Sequence, residues 1–289
     1  MGMEIYLAEI RDCVASQAPD LLPMFKEYAG EASFGMALIA EDLDRLPSNA
    51  TVLEIGAGSH LLSCWLQRQG YRVIAVEPIG SGFSHFDRLR EVVLGSADKG
   101  GYRPDCSAVQ AEFLALNAVA DFAFSINVME HVIDVGSVLK RVYAALKPGG
   151  SYRFVCPNYI FPYEPHFNIP TLVSRKLTER VLGRWIFSSR RVADPRGTWD
   201  SLNWITVPKV RKACLDQLGQ TAEFSRSVWR HQLKRVLEDS DFQRRRGFAI
   251  RSLFKVLDKL GLTELLSGLP VLLLPVIDCR IYRLPASQT

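Results

Sequence analysis

The chain lacks any apolar run of the roughly 20 residues that a bilayer-crossing helix needs. Its most apolar stretch, residues 265–277, is interrupted by Gly268, Pro270 and Pro275. The start, Met1-Gly2-Met3-Glu4-Ile5-Tyr6, has neither the basic nor the apolar region of a secretory signal, and Tyr6 stands where a myristoylation signal has Ser or Thr. A cytoplasmic location is the expectation that follows. The six cysteines, Cys13, Cys64, Cys106, Cys156, Cys214 and Cys279, contain no Cys-x-x-Cys pair, which argues against a zinc site or a disulfide framework and for reduced thiols. No metal is expected. Internal repeats and low-complexity tracts are also missing. With 289 residues and 48% hydrophobic composition, the chain can bury a core without staples.

Charge is present in both signs but unevenly. Residues 1–170 carry 13 Lys and Arg against 20 Asp and Glu, whereas residues 171–260 carry 20 against 9, within a net charge of +4. The basic excess fits an anionic partner for the later region, whether a phosphate-bearing substrate, a membrane surface or nucleic acid, and fits a solvated helical face equally well. The run Arg244-Arg245-Arg246 does not decide between them.

The most informative stretch is Val52-Leu53-Glu54-Ile55-Gly56-Ala57-Gly58, followed by Tyr71-Arg72-Val73-Ile74-Ala75-Val76-Glu77. An apolar strand runs into a glycine turn where the backbone can approach a ligand, a helix from about Leu61 to Gln69 packs back, and Gly70 closes it. Glu77 ends the second strand 19 residues beyond Gly58, close to the spacing of roughly 20 at which nucleotide-binding folds place an acid on a ribose. A dinucleotide fold calls for a third glycine where Leu61 stands, and Glu54 would repel a pyrophosphate but suits a cationic amino-acid ligand. The segment resembles the first motif of the class I S-adenosylmethionine-dependent methyltransferases, acid-x-Gly-x-Gly-x-Gly. Glu54, Gly56 and Gly58 match, with Ala57 between the glycines, and His60 replaces the third glycine.

The resemblance extends over about residues 50–157. Val109-Gln110-Ala111-Glu112-Phe113 is similar to the family segment beside the adenine, Asp121 to Val132 to its fourth strand and following turn, and Leu146-Lys147-Pro148-Gly149-Gly150 to the helix stop before a fifth strand, Ser151 to Cys156. It implies an α/β fold: a Rossmann-like, seven-stranded, mostly parallel sheet with helices on both faces. The expected organisation is a helical N-terminal cap (1–49), a cofactor-binding core (50–157), a substrate or lid insertion (158–203), and a C-terminal part of the sheet with a helical insertion (204–289).

Residues 3–46 read as helical cover, with Tyr28 and Phe34 as aromatics able to close over a cofactor or to pack in the core. The insertion Pro157 to Pro170 holds four prolines and Tyr159, Phe161, Tyr163, His166 and Phe167 at the carboxyl end of a strand, where open α/β sheets bind ligands. Thr171 to Phe187 reads as a basic amphipathic helix. Leu172, Val173, Leu177, Val181, Trp185 and Ile186 lie toward one face and Arg175, Lys176, Arg180 and Arg184 largely toward the other, a pattern for a membrane surface or for a lid on its own domain. Thr206 and Pro208 start a helix to about Leu218, Thr221 to Val228 a strand, Trp229 to Asp239 and Phe248 to Leu260 further helices, and Val271 to Leu284 contains the last antiparallel strand.

Transfer of a sulfonium methyl group is an in-line displacement that needs alignment and exclusion of water. Glu77 is expected to accept from two ribose hydroxyls, followed by Pro78, while Gly56 and Gly58 supply backbone approach. The resemblance implies Glu112 and Phe113 at the adenine and Asn127, with Val128, at the methionine end of S-adenosylmethionine. An acceptor hydroxyl must lose a proton, for which His131 and His166 are candidates, with Tyr163 as an acceptor-binding or catalytic neighbour. The expected reaction is O-methylation of a small or lipid-linked acceptor, including anionic ones such as a glycan precursor. A quinone-type acceptor and a non-catalytic scaffold are the alternatives. Nucleic acid is disfavoured because Asn127-Val128-Met129-Glu130 stands where an Asn/Asp-Pro-Pro-Tyr tetrapeptide would be.

Overall fold

Thr51–Ile55 forms β1, buried at every position, and Arg72–Val76 forms β2, parallel to it with Val52 opposite Val73 and Glu54 opposite Ala75. Continuous apolar runs of this kind mark strands covered on both faces. Leu61–Arg68, α3, connects them, one residue shorter than expected. The structure, a computed structural model, describes residues 2–78, 87–230 and 268–285. The expected helix at Phe248 to Leu260, all but the first two residues of the one at Trp229 to Asp239, and Arg244 to Arg246 lie outside the described residues.

Helix α4 (Asp87–Gly100) and two more parallel strands follow, β3 (Asp105–Ser107) beside β2 and β4 (Ala120–Ile126) beside β1. After α5 (Val135–Ala145) and β5 (Leu146–Pro157) come the hairpin β6 (Tyr163–Glu164) and β7 (Ile169–Pro170), then α6 (Arg175–Phe187), α7 (Pro195–Ser201), α8 (Val207–Leu218), β8 (Glu223–Phe224) and β9 (Val276–Tyr282). The seven-stranded sheet has the order β3-β2-β1-β4-β5-β9-β8, with β8 antiparallel to β9. The fold is thus the expected mostly parallel α/β sheet with helices, preceded by α1 (Met3–Gln17) and α2 (Leu22–Leu43).

Contacts group the chain into two units. Unit 1 is Met1–Val128, Gly136–Arg153 and Ile281–Thr289; unit 2 is Met129–Val135 and Phe154–Arg280. In unit 1, α1 and α2 bury Tyr6, Ile10, Phe25 and Ile39 together with Trp65 and Leu66 of α3 and Phe122 and Phe124 of β4. The Tyr6 hydroxyl donates to the Leu61 carbonyl oxygen at 3.1 Å. A buried ion pair, Arg153 to Asp42 at 2.9 Å, fixes α2 to β5. In unit 2 an aromatic chain runs from Phe167 to Trp199 to Trp204 to Tyr159, the last pair stacked with centroids 4.5 Å apart.

Four local expectations need correction. The helix does stop, at Ala145, but Leu146 to Gly150 already belongs to the strand expected from Ser151, because Gly149 N–H donates to Arg283 O at 2.9 Å and Arg283 N–H donates to Gly150 O at 2.8 Å. The amphipathic helix begins at Arg175, since the Ser174 side chain caps it and Leu172 N–H is held by Thr178 Oγ1. Its buried line is Thr178, Leu182 and Ile186, which leaves Leu177, Val181 and Trp185 exposed. The strand expected over Thr221 to Val228 is only Glu223–Phe224, because Ser225 Oγ takes Ser227 N–H and turns the chain. Among the described residues, no helix is long and apolar enough to cross a membrane.

Candidate active site

The glycine turn after β1 is held at both ends. Gly56 and Ala57 N–H donate to Val76 O at 2.7 and 3.2 Å, and Gly58 N–H donates to Glu77 Oε2 at 2.8 Å. Gly56 and Gly58 have φ of 77° and 50°, the left-handed region where a side chain costs energy. At Gly56 an added Cβ would lie 2.2 Å from Val128 Cγ2, so Val128 closes directly on the turn. His60, the residue in place of the third glycine, also adopts φ 61° and so preserves the glycine-like path as the residue preceding α3. Its imidazole is buried, and burial followed by Arg90 and Arg103 pushes its pKa down to about 4.

Two buried carboxylates face this turn. Burial raises the Glu77 pKa, opposed by the Gly58 hydrogen bond. Glu54 accepts from the Ser63 hydroxyl of α3, and burial first, with Glu77 adding repulsion, pushes its pKa up to about 8. The Tyr28 hydroxyl is likewise raised, by burial and then by Glu27, Glu31 and Glu77. Pro78 follows Glu77 and is half-buried. Asn127 directly follows β4, exposed and at φ 56°, immediately before Val128. Glu112 and Phe113 lie in a 3-10 turn, Ala111–Phe113, between β3 and β4, with Phe113 69% exposed.

Unit 2 brings His131 and His166 together, ring centroids 5.1 Å apart and edge to face. The turn carrying Glu130 and His131 is pinned by Asn203, whose side-chain amide donates to Met129 O at 2.7 Å and Val132 O at 2.9 Å. His131 Nδ1 meets Ser201 Oγ at 2.8 Å, and His166 Nδ1 meets Glu164 Oε1 at 2.6 Å. Burial and then His166 push the His131 pKa down to about 3. For His166 burial opposes the charge, but the Glu164 hydrogen bond and the Glu164 and Glu130 charges outweigh it, so its pKa rises. Glu130, wholly buried, is pushed up to about 7 by burial. Tyr163 donates to Asn168 Oδ1.

A cavity of about 650 Å³ in the same unit is lined by Tyr159, Leu172, Val173, Leu177, Trp204 and Lys209, among others. Tyr159 belongs to both features, since its hydroxyl reaches Glu164 Oε1 at 3.3 Å. Sequence reasoning named the histidines but not the groups that hold them. The Glu164-x-His166 spacing within a hairpin was a readable signal, whereas Ser201 lies 70 residues from His131 and gave none.

Sheet order, glycine turn and strand-end acid define a class I S-adenosylmethionine-dependent methyltransferase. A family model described as a methyltransferase domain matches residues 26–245, most of the chain, and the chain belongs to that family. An uncharacterized protein of Mycobacterium tuberculosis is 42% identical over 281 residues, covering 97% of this chain and 95% of its own. A ubiquinone biosynthesis O-methyltransferase of Bradyrhizobium diazoefficiens is 36% identical over 165 residues, 57% of this chain and 56% of that protein. In fold alone, the chain is similar to Haemonchus contortus phosphoethanolamine N-methyltransferase 2 in complex with S-adenosyl-L-methionine. The TM-score is 0.51 at 14% identity, and the match covers 87% of this chain and 52% of that one.

Proposed function

We propose that the chain transfers the methyl group of S-adenosylmethionine to a hydroxyl oxygen of a small or lipid-linked acceptor. In this reading unit 1 holds the cofactor. Gly56, Ala57 and Gly58 allow backbone approach, Glu77 accepts from the ribose hydroxyls with Pro78 beside it, Glu112 and Phe113 flank the adenine, and Asn127 and Val128 meet the methionine end. Glu54 contributes negative charge toward a cationic ligand.

Unit 2 holds the acceptor, and one observation carries this. The Tyr159 ring lines the cavity while its hydroxyl reaches the carboxylate behind His166. Leu172, Val173 and Leu177 suit an apolar ring or chain, and Lys209 suits an anionic group. His131 and His166 act on the hydroxyl proton, and Tyr163 orients the acceptor. The new O–CH3 bond forms as the S–CH3 bond breaks, its electron pair returning to sulfur to leave S-adenosylhomocysteine. A peripheral lipid surface is a fitting partner because α6 exposes apolar side chains beside basic ones.

A second reading, methylation of a quinone-type ring hydroxyl, is favoured by the likeness to the ubiquinone biosynthesis O-methyltransferase. The deciding experiment supplies isotopically labelled cofactor with a phosphate-bearing hydroxyl acceptor, the same acceptor after phosphatase treatment, and a prenylated catechol. Label on the oxygen of the intact phosphate acceptor, lost on dephosphorylation, supports an anionic acceptor. Label on the catechol alone selects the second reading. Label on nitrogen or carbon refutes O-methylation.

A further inference from the structure

Six carboxylates of the described residues are buried: Asp42, Glu54, Glu77, Glu130, Glu164 and Asp278. Five have donors. Arg153 serves Asp42, Ser63 serves Glu54, Gly58 N–H serves Glu77, Phe167 N–H serves Glu164 and Ser227 serves Asp278. Glu130 is the exception: it is 0% exposed, and among the described residues neither of its carboxylate oxygens accepts a hydrogen bond. In its ionised form a buried carboxylate without donors is costly unless a cation compensates it.

The groups beside Glu130 are arranged to present lone pairs. Ser201 Oγ gives its single proton to the Thr198 carbonyl oxygen at 2.8 Å, so toward His131 Nδ1 it accepts. His131 therefore carries its proton on Nδ1 and the lone pair on Nε2, the atom 4.0 Å from Glu130 Oε1. His166 Nδ1 likewise donates to Glu164 Oε1, which leaves Nε2 as the position where a proton or a metal ion is taken up. An imidazole whose second nitrogen donates to a carboxylate or hydroxyl is the usual supporting arrangement of a metal-bound histidine.

We infer that Glu130, His131 and His166 bind one divalent transition-metal ion. One ligand atom from each lies within 4.8 Å of the others. Ligands at about 2.1 Å in the tetrahedral arrangement of zinc stand about 3.4 Å from one another, so the widest pair closes by at most about 1.4 Å when the ion enters. Two imidazoles and one carboxylate match zinc, manganese or iron rather than calcium or magnesium, which take oxygen ligands. Three protein ligands leave a coordination position open, as catalytic rather than structural sites do. The His166 side chain, 26% exposed, is the accessible member of the set.

One consequence rests on the O-methylation reading. An acceptor hydroxyl taking the open position would have its pKa lowered by the ion. Its proton passes to solvent and its oxygen lone pair attacks the methyl carbon, so the histidines act on that proton through the ion they hold.

The test uses the full chain, stripped with a chelator and dialysed, titrated calorimetrically with zinc ion in the absence of cofactor and acceptor. The expected result is one equivalent bound, weakened more than about hundredfold in Glu130→Gln and in His166→Gln, and about tenfold in Glu164→Gln. Metal-free Glu130→Gln should melt no lower than the parent, since it removes an unpartnered buried charge, and zinc should raise the melting temperature of the parent alone. The visible spectrum of the cobalt-loaded parent stands independently of the variants. Nitrogen and oxygen ligand bands support the site, and a thiolate charge-transfer band moves the ion to cysteine and overturns it. Absent saturable binding, or binding that survives all three substitutions, also overturns it. Cofactor binding is read in a separate titration, so a failed methyltransferase reading leaves the metal result standing. Turnover indifferent to chelation would refute only the role of the ion in catalysis.

Discussion

The backbone N–H of Gly58 and the Glu77 carboxylate are joined at 2.8 Å, so the glycine turn after β1 and the acid at the end of β2 form one hydrogen-bonded unit. Glu77 thereby has one oxygen committed to the turn. Glu77→Ala should remove both the proposed ribose acceptor and the tether of the turn. Hydrogen bonds to a charged group are worth about 1.5–3 kcal/mol each, which predicts at least about tenfold weaker S-adenosylmethionine binding in a calorimetric titration. Unchanged affinity would mean that the cofactor does not use Glu77.

Gly56 makes a sharper demand, because both conformation and space exclude a side chain there. Its φ of 77° is left-handed, and an added Cβ would stand 2.2 Å from Val128 Cγ2. Gly56→Ala should lower stability by about 1–3 kcal/mol, read by urea unfolding, and reduce cofactor affinity as the turn shifts. Adding Val128→Ala removes the clash but not the backbone strain, so the double variant should recover part of the loss. If it recovers none, the contact with Val128 is not what excludes a side chain.

Glu54 predicts a pH dependence with a definite sign. Its pKa rises from 4.5 to about 8 through burial, so the folded state favours the protonated form. The stability this contributes is full below the unfolded pKa and is lost as pH rises through about 8. Glu54→Gln keeps an acceptor for Ser63 and should flatten the fall in melting temperature between pH 6 and pH 9. A cationic cofactor favours the ionised form, so binding should release a proton below pH 8, and affinity should rise by up to about tenfold per unit until that pH is passed. Titrations in buffers of different ionisation enthalpy measure this release, and its absence would place the cofactor's charge away from Glu54.

What could be read from sequence was local. The strand, glycine turn, helix and acid of Val52 to Glu77 lie within one contiguous unit, and the α3 boundary came within one residue. Errors arose where a distant segment decides the outcome. Lys147-Pro148-Gly149-Gly150 reads as a stop, yet pairing with Arg283 draws it into β5. The apolar periodicity of α6 does not say which stripe is buried, and the packed line proved to be Thr178, Leu182 and Ile186. At the histidine cluster the sequence offered His131 and His166, but Ser201, which sets the tautomer of His131, comes from another helix.

The exposed stripe of α6 carries the last prediction. Leu177, Val181 and Trp185 recur every four residues and are 42%, 61% and 69% exposed, while Thr178, Leu182 and Ile186 already pack the helix on its own unit. One position before each exposed apolar residue stands Lys176, Arg180 or Arg184. Long basic side chains beside an apolar stripe reach headgroup phosphates while the stripe enters the acyl boundary. The chain should therefore sediment with vesicles containing phosphatidylserine and much less with purely zwitterionic ones. Removing one basic residue, as in Arg180→Gln, should weaken binding about fivefold at low salt, at about 1 kcal/mol per basic residue. Trp185→Ser should weaken it at every salt concentration, because its contribution is apolar area rather than charge. Binding that ignores vesicle charge and survives both substitutions would leave α6 as a solvated lid, and a lipid-linked acceptor would lose its structural support.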